Sequence, residues 1–278
     1  MIIRGGTPLY GTVDVQGAKN AALPVMAASI LLKGKRLALK KVPDLYDIHT
    51  MSDLLRHIGI TVEFKDNLMT IDVPDELSWD APAELVRKMR ASSLVLGPLI
   101  ARCGKAVLPL PGGCVLGSRP IDFHLKGLAK MGAEIDLNKG SVYATAGRLK
   151  GERITLDYPS VGATENLMMA AALAHGVTYI ENAALEPEII NLADVLRLMG
   201  IPVKGDGTQT IRITGKPETG PAEAEIIPDR IEAATYLMAG IITKGSVTVR
   251  GIDSGLIDAI LLKLEEAGAK IDIMLDEV

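Results

Sequence analysis

Cys114 is the residue that is best suited to take part in a chemical reaction. It lies in the segment Leu110–Pro120, which contains three glycines and two prolines. Such a composition is typical of a surface loop that can approach a ligand closely. A free thiol titrates near pH ~8.5, so it can donate or accept a proton close to neutral pH. Cys114 is therefore a candidate acid–base residue. The other cysteine, Cys103, ends an apolar helical pattern, and we expect it to be buried and inert.

Polar residues also open several apolar helical patterns. Lys19 and Asn20 open the first, Arg90 the second and Arg230 the fourth, whereas the third begins with the sequence Ser160–Thr164. A helix N-terminus offers free N–H groups and a partial positive charge, which favour bound anions. The alternative at each position is a solvated side chain. If a symmetric fold gathers these helix starts, they form one anion-binding cleft.

The sequence contains no pattern of metal ligands and no nucleotide-binding glycine motif. Its four histidines are scattered, and neither a Gly-x-Gly-x-x-Gly nor a Walker-type loop is present. We therefore expect no metal site. Any phosphate would then be held by Lys and Arg side chains.

The elements that must position these residues come from an internal repeat. Four helical patterns each end at a glycine and then switch to strand alternation, at Gly59, Gly132, Gly200 and Gly268. Each glycine is a plausible residue just after a helix C-terminus. Before each glycine come an apolar helix, a short strand and an amphipathic helix, and two hairpin strands follow it in the first three repeats. The fold class is therefore α/β (α+β), with βαβαββ repeats of about 70 residues.

Two segments do not fit the repeat. After the predicted strand Lys270–Ile273 the sequence ends at Val278, where the second hairpin strand should begin. The opening strand, Gly11–Val15, has no hairpin partner nearby. We therefore expect the sequence to be part of a longer repeat protein.

Composition restricts the class of protein. The 278 residues are 48% apolar and carry a net charge of −4, which excludes wholesale disorder and argues against a general nucleic-acid binder. No apolar run is long enough to span a membrane. The first residues do not resemble a secretory signal, and two cysteines are too few for a disulfide framework. We expect a cytoplasmic protein.

Several loops together resemble those of the UDP-N-acetylglucosamine 1-carboxyvinyltransferases, within the enolpyruvyl transferase family. The similarity runs along the whole sequence, and the Pro-Gly-Gly-Cys loop is its most specific part. The matching segments are Gly17–Pro24, Met89–Ser92, Pro111–Cys114, Gly117–Asp122, Ser160–Thr164, Glu186–Ile189 and Pro228–Glu232.

The resemblance implies transfer of the enolpyruvyl group of phosphoenolpyruvate to the 3′-hydroxyl of UDP-N-acetylglucosamine, the first step of peptidoglycan synthesis. It implies that Cys114 is the general acid that protonates C3 of phosphoenolpyruvate, and the thiol that fosfomycin modifies. Lys19, Asn20 and Arg119 would bind phosphoenolpyruvate. No cofactor is implied.

The resemblance also implies the residues that bind the second substrate. Arg90 would line the UDP-N-acetylglucosamine pocket, and Arg119 would contact both substrates. The remaining residues implied for the UDP part are Pro120, Ile121, Asp122, Phe123, Ser160, Val161 and Gly162.

The implied fold is an inside-out α/β barrel of three repeats per domain. Residues 19–227 would form one complete domain that carries the Cys114 loop, and residues 1–18 with 228–278 would form part of a second. The incomplete domain favours self-association. Neither nucleic acid nor membrane is an expected partner.

The sequence also departs from the family pattern. Tyr158 stands where family members often carry a basic residue just before the Ser-Val-Gly segment. The family's sugar-activating aspartate and a second phosphoenolpyruvate-binding arginine would follow Val278, so we expect this chain alone to be inactive. Two alternatives remain: an enolpyruvylshikimate-phosphate synthase and a non-catalytic nucleotide-sugar-binding relative.

Overall fold

The computed structural model describes residues 5–110, 121–275, 277 and 278, which divide into two compact bodies. The larger body is Lys19–Ile226. The smaller body consists of the segment up to Ala18 together with Ile227–Val278. The chain thus enters the larger body after Ala18 and leaves it after Ile226, one residue earlier than the boundary drawn from the sequence.

Helices and strands alternate along the chain. The smaller body contributes β1 (Tyr10–Asp14). The first repeat comprises α1 (Lys19–Ala28), β2 (Lys35–Lys40), α2 (Tyr46–His57), β3 (Thr61–Lys65) and β4 (Leu68–Val73). The second comprises α3 (Ala83–Val86), a 3₁₀ helix (Arg90–Val95), α4 (Leu96–Cys103), β5 (Lys105–Pro109), α5 (Asp122–Lys130), β6 (Glu134–Asn138) and β7 (Ser141–Thr145). The third comprises β8 (Arg153–Thr155), α6 (Val161–Ala172), β9 (Val177–Glu181), α7 (Pro187–Leu198), β10 (Val203–Lys204) and β11 (Thr210–Thr214), and β12 (Ala222–Glu225) follows it. The smaller body then adds α8 (Arg230–Ile242), β13 (Ser246–Arg250) and α9 (Asp258–Glu266).

None of these helices, within the part of the chain that the structure describes, is both long enough and apolar enough to cross a bilayer.

Each repeat of the larger body forms one small sheet. The strand orders are β12-β2-β4-β3, β5-β7-β6 and β8-β9-β11-β10. In the two four-stranded sheets the outer strand, β12 or β8, pairs in parallel with its neighbour, and the other three strands are antiparallel. In the second repeat a parallel bridge between Asp80 and Val107 takes the place of the outer strand.

Two strands pair with partners that are remote in sequence. β1 precedes the first repeat in the chain but pairs in parallel with β13, with Tyr10 opposite Ser246. β12 precedes α8 in the chain but pairs in parallel with β2, with Ala222 opposite Leu37. β1 is thus the partnerless opening strand of the sequence analysis, and its partner comes from the fourth repeat.

Three apolar helices occupy the inside of the larger body. α1 is buried from Ala21 to Ala28, and α6 from Ala163 to Ala172. Both pack against the 3₁₀ helix that leads into α4, and α4 packs against α6. Helices that are apolar on all sides are stable only when they are surrounded. The predicted α/β repeats with helices inside and sheets outside are therefore confirmed.

The repeat signal also predicted the local turns correctly. All four repeat glycines follow a helix with φ in the left-handed region, between 91° and 100°, where only glycine is unstrained. In two hairpins the turn consists of two adjacent residues with positive φ, as a type I′ turn requires. The two residue pairs are Asp66–Asn67 and Lys139–Gly140.

The fourth repeat differs from its prediction. The segment Lys270–Ile273 was expected to be a strand, but it lies outside the strands of the described residues. A hairpin strand needs a neighbour to satisfy its N–H and C=O groups. Here the chain instead makes isolated bridges, from Glu277 to Met274 and to Arg250.

The inner helices α4 and α6 make a tight contact at Gly97 and Asn166. The Gly97 amide N–H donates to Asn166 Oδ1 over 2.6 Å. A Cβ atom on Gly97 would lie 2.2 Å from that oxygen and 2.4 Å from the Asn166 backbone oxygen. The helix contact therefore depends on the absence of a side chain at position 97.

We predict that Gly97→Ala destabilises the larger body by about 2–4 kcal/mol, because the helices must separate and the hydrogen bond to Asn166 is strained. Urea unfolding followed by circular dichroism measures this change. Gly147→Ala is the matched control, since no heavy atom of the described residues lies within 4 Å of the position that a Cβ on Gly147 would occupy. This control should change stability by less than about 0.5 kcal/mol. Equal effects of the two substitutions would contradict this account of the helix contact.

Candidate functional site

Lys19 is the first residue of α1 and belongs to an ion pair. Its Nζ atom donates to Asp47 Oδ2 over 2.8 Å, and both side chains are partly exposed. Asp47 lies in the first turn of α2, where the helix N-terminus stabilises a carboxylate. Asp47 was not identified from the sequence, because an acidic residue in the first turn of a helix is common. An incoming anion would compete with Asp47 for the ammonium group.

Asn20 follows Lys19 in α1, and the remaining predicted site residues of the described chain lie at three other helix starts. Arg90 begins the 3₁₀ helix, Asp122 and Phe123 begin α5, and Ser160 is the N-cap of α6. Arg90 and Asp122 are exposed, whereas the side chain of Ile121 is buried. Any contact of Ile121 with a ligand would therefore involve its backbone.

The Asn166 side chain links these three helix starts. Its Oδ1 atom accepts from Gly97 N, which identifies it as the amide oxygen. The Nδ2 atom donates to Ser93 O over 2.7 Å and to His124 Nδ1 over 2.8 Å. Ser93 lies three residues after Arg90, and His124 directly follows Phe123. One fully buried amide on α6 thus fixes the segments that begin at Arg90 and Asp122.

The same hydrogen bonds fix the protonation state of His124. Because the Asn166 amide donates to Nδ1, that nitrogen must accept, and the ring proton is on Nε2. Burial, together with the positive charge of Arg90, lowers the pKa of His124 to about 4. The ring is therefore neutral at pH 7. The sequence analysis treated His124 only as one of four scattered histidines.

The first turn of α6 has unused hydrogen-bond donors. Ser160 Oγ accepts from Ala163 N over 3.4 Å, and Ser160 O accepts from Thr164 N over 2.9 Å. Within the described residues, the N–H groups of Val161 and Gly162 have no such acceptor. The positive end of the helix dipole points the same way. The start of α6 therefore offers hydrogen-bond donors to an anion.

Phe123 and Tyr158 form a ring contact beside this helix start, with centroids 6.5 Å apart. Lys126 Nζ lies 5.8 Å from the centroid of the Phe123 ring and 3.7 Å from Asp157 Oδ2. A cation on α5 thus lies close to the segment that contains Asp157 and Tyr158.

Not all predicted residues are brought together. No hydrogen bond among the described residues joins Lys19 or Asn20 to the helix starts at Arg90, Asp122 and Ser160. Cys114, Arg119 and Pro120 lie outside the described residues. Cys103 is half-buried, not fully buried as expected, since it lies in the last turn of α4. Burial raises the pKa of its thiol.

A buried carboxyl group one residue before Asn166 was also missed by the sequence analysis. Glu165 is 3% exposed, and its Oε1 atom has no hydrogen-bond partner among the described residues. Burial and the negative charges of Glu188 and Glu186 hold the pKa of Glu165 well above its usual value. The carboxyl group is therefore protonated under conditions in which exposed carboxyl groups are ionised.

Comparison with known proteins identifies the family. Residues 3–277 match the family model of EPSP synthase (3-phosphoshikimate 1-carboxyvinyltransferase), so the chain belongs to this family. A relative named UDP-N-acetylglucosamine 1-carboxyvinyltransferase 2, from Carboxydothermus hydrogenoformans, is 50% identical over 97% of the chain and 64% of its own length. UDP-N-acetylglucosamine 1-carboxyvinyltransferase 1 from Halalkalibacterium halodurans is also 50% identical, over 97% of the chain and 62% of its own length. The predicted resemblance is thereby confirmed. The chain spans less than two thirds of the length of these relatives.

Solved structures of the family have the same fold. The enolpyruvyl transferase NikO from Streptomyces tendae matches 99% of the chain, and 66% of its own, with a TM-score of 0.86 at 26% identity. An EPSP synthase from Acinetobacter baumannii matches 99% of the chain, and 64% of its own, with a TM-score of 0.70 at 24% identity. The latter similarity supports the fold alone.

We predict that Glu165→Gln increases stability progressively as the pH rises. In the unfolded chain this carboxyl group ionises near its usual pKa of 4.5, whereas in the folded chain it stays protonated to much higher pH. Wild-type stability should therefore be fully retained below pH 4.5 and fall above it, by up to ~1.4 kcal/mol per pH unit from this group. Gln cannot ionise, so the variant avoids this loss.

Urea unfolding at pH 5 and pH 8 measures the difference between wild type and Glu165→Gln. The exposed residue Glu134 provides the matched control, and Glu134→Gln should leave the pH dependence unchanged. Parallel stability profiles for wild type and Glu165→Gln would show that Glu165 ionises normally in the folded chain.

Proposed function

We propose that this chain acts in the transfer of the enolpyruvyl group of phosphoenolpyruvate to the 3′-hydroxyl of UDP-N-acetylglucosamine, with release of phosphate. The observation that carries the proposal is the 50% identity, over 97% of the chain, to relatives that bear the name of this activity. The residues that the resemblance assigned to both substrates are present in the sequence. The chain's own reaction and substrates are proposed on this basis.

In the proposed mechanism Cys114 donates its thiol proton to C3 of phosphoenolpyruvate, which leaves an oxocarbenium-like centre at C2. The sugar 3′-hydroxyl attacks C2 and loses its proton, giving a tetrahedral adduct. Loss of a proton from C3 and of phosphate from C2 then produces the enolpyruvyl ether. Lys19 would exchange its contact with Asp47 for the phosphoenolpyruvate anion, aided by Asn20 and Arg119.

The nucleotide sugar would bind at the helix starts of the larger body. Arg90, Asp122, Phe123 and the segment Ser160–Gly162 are candidates that belong to helix starts linked by Asn166. Pro120, Ile121 and Arg119 complete the proposed set. The free N–H groups at the start of α6 support binding of the diphosphate.

The runner-up is EPSP synthase activity, because the family model bears that name. This alternative has less support, since the structure named EPSP synthase is only 24% identical to the chain. The two activities differ in the acceptor. Shikimate 3-phosphate lacks a nucleoside, so direct comparison of the two acceptors separates the alternatives.

The proposal includes a cytoplasmic location and self-association. Both substrates are small anionic metabolites, which fits the cytoplasm. Several exposed apolar side chains of α8 favour self-association through the smaller body. These side chains are Ile231, Tyr236, Met238 and Ile242.

We predict that the chain binds UDP-N-acetylglucosamine in preference to shikimate 3-phosphate, and that Lys19→Gln selectively weakens phosphoenolpyruvate binding. Loss of one charge-assisted contact corresponds to a reduction of about 10- to 100-fold in affinity. Calorimetric titration with each ligand measures these affinities. UDP-N-acetylglucosamine affinity should change by less than about 3-fold, because its proposed contacts lie at other helix starts.

Lys33→Gln is the matched control, since Lys33 is exposed and lies in the same repeat. Preference for shikimate 3-phosphate would favour the runner-up, and absence of binding to either acceptor would reject the proposed function. Equal effects of Lys19→Gln and Lys33→Gln on phosphoenolpyruvate would remove Lys19 from the site.

We predict that fosfomycin alkylates Cys114 and not Cys103, because the proposed anion site directs the phosphonate to Cys114. Burial raises the pKa of Cys103 and so lowers its thiolate fraction. Peptide mapping by mass spectrometry locates the adduct, and iodoacetamide serves as a reagent without the phosphonate. A non-catalytic sugar-binding relative need not show selective modification, and faster modification of Cys103 would contradict the role assigned to Cys114.

A further inference from the structure

The ammonium group of Lys19 already binds an anion that belongs to the chain itself. Lys19 is the first residue of α1, and the first turn of this helix contains no acidic residue. A cation at a helix N-terminus is unfavourable, because that end of the helix dipole is positive. The carboxylate of Asp47, on the neighbouring helix α2, accepts from Lys19 Nζ over 2.8 Å. Asp47 therefore makes the contact that the proposed mechanism assigns to phosphoenolpyruvate.

The Lys19–Asp47 ion pair can open, since 37% of the Lys19 side chain and 28% of the Asp47 side chain are exposed. Asp47 is the acidic residue in the first turn of α2, so the N-terminus of that helix stabilises its charge after Lys19 has left. A partly exposed ion pair contributes little net free energy. An anion from solution can therefore replace the carboxylate, and the exchange is reversible.

An internal carboxylate has an advantage over anions in solution. Both helices belong to the larger body, so Asp47 competes for Lys19 at an effective concentration of at least ~1 mM. An anion that displaces Asp47 then lies close to its negative charge and is repelled by it. Both effects weaken the binding of an anion to Lys19 and accelerate its release.

We propose that Asp47 is a positioning residue that regulates the phosphoenolpyruvate site, as an internal anion that competes for Lys19 and weakens anion binding there. The proposed reaction consumes one anion and releases another, inorganic phosphate. Asp47 recovers Lys19 when the phosphate leaves. This inference rests on the proposed function, since it takes phosphoenolpyruvate and phosphate as the anions. It assigns a role to a residue that the resemblance did not include.

Removal of the Asp47 charge should strengthen anion binding, whereas a purely structural role would weaken it. Asp47→Asn should bind phosphoenolpyruvate about 3- to 10-fold more tightly than the wild type, because the variant loses both the competition and the repulsion. Inorganic phosphate should also bind more tightly and dissociate more slowly. Calorimetric titration of the 278-residue chain measures the affinities, and ³¹P line shapes measure the dissociation of phosphate.

Two further variants serve as controls. Asp47→Glu keeps the charge, so it should bind phosphoenolpyruvate within about 2-fold of the wild type. Asp53 lies on the same helix, 2.9 Å from Arg56 Nη1, so Asp53→Asn removes an equal charge without releasing Lys19. This variant should also stay within about 2-fold of the wild type. Equal gains in Asp47→Asn and Asp53→Asn would overturn the inference, because the effect would then depend only on net charge.

A measurement on the unmodified chain covers the case in which a variant fails to fold. With ¹³C-labelled aspartate, the Asp47 Cγ resonance should shift when phosphoenolpyruvate is added, because the carboxylate loses its partner. The Asp53 Cγ resonance should stay unchanged. A shift of the Lys19 ¹⁵Nζ resonance on binding, with Asp47 Cγ unchanged, would overturn the inference, because Lys19 would then bind the anion without leaving Asp47.

The affinities also separate failure of the inference from failure of the proposed function. If the wild type binds phosphoenolpyruvate and Asp47→Asn binds it equally or more weakly, the inference is overturned and the proposed function stands. If neither protein binds phosphoenolpyruvate, the inference and the proposed role of Lys19 are both rejected.

Discussion

The organisation of the larger body depends on the buried amide of Asn166. An amide withdrawn from water is tolerated only if its donors and acceptor all have partners, and here Gly97, Ser93 and His124 supply them. Each partner is constrained in turn. Position 97 can carry no side chain, the Ser93 carbonyl must face α6, and the His124 ring must stay neutral. The geometry of three helix starts thus follows from one side chain.

Two buried titratable groups lie near this amide, whereas the cations proposed for ligand binding lie at the surface. Burial lowers the pKa of His124 and raises that of Glu165, because in both cases it disfavours the charged form of the side chain. Lys19 and Arg90 remain at helix starts with access to solvent. Burial thus keeps charge out of the interior, and the charged side chains lie at helix starts, where they can reach the anions of the proposed function.

Features set by neighbouring residues could be predicted from the sequence, and features set by distant residues could not. The four repeat glycines and the Lys139–Gly140 turn follow from backbone geometry, which the residue type restricts directly. The helix starts at Lys19 and Ser160 follow from the apolar periodicity. In the sequence, however, Asn166 looks like an ordinary polar residue in an apolar helix. Its role requires residues about 40 to 70 positions away, and only the folded chain brings them together.

The two remote strand pairings constrain the order in which the protein can fold during its synthesis. The first sheet is complete only when β12 has left the ribosome, and until then β2 is an unpaired edge. β1 stays unpaired for longer, because its partner is β13. Within this pair Arg250 binds Asp14 across 236 positions of sequence. At ribosomal speeds of about 5–20 residues per second, that delay is on the order of 10–50 s. A chaperone that shields exposed strand edges would therefore have its greatest effect on the nascent N-terminal third.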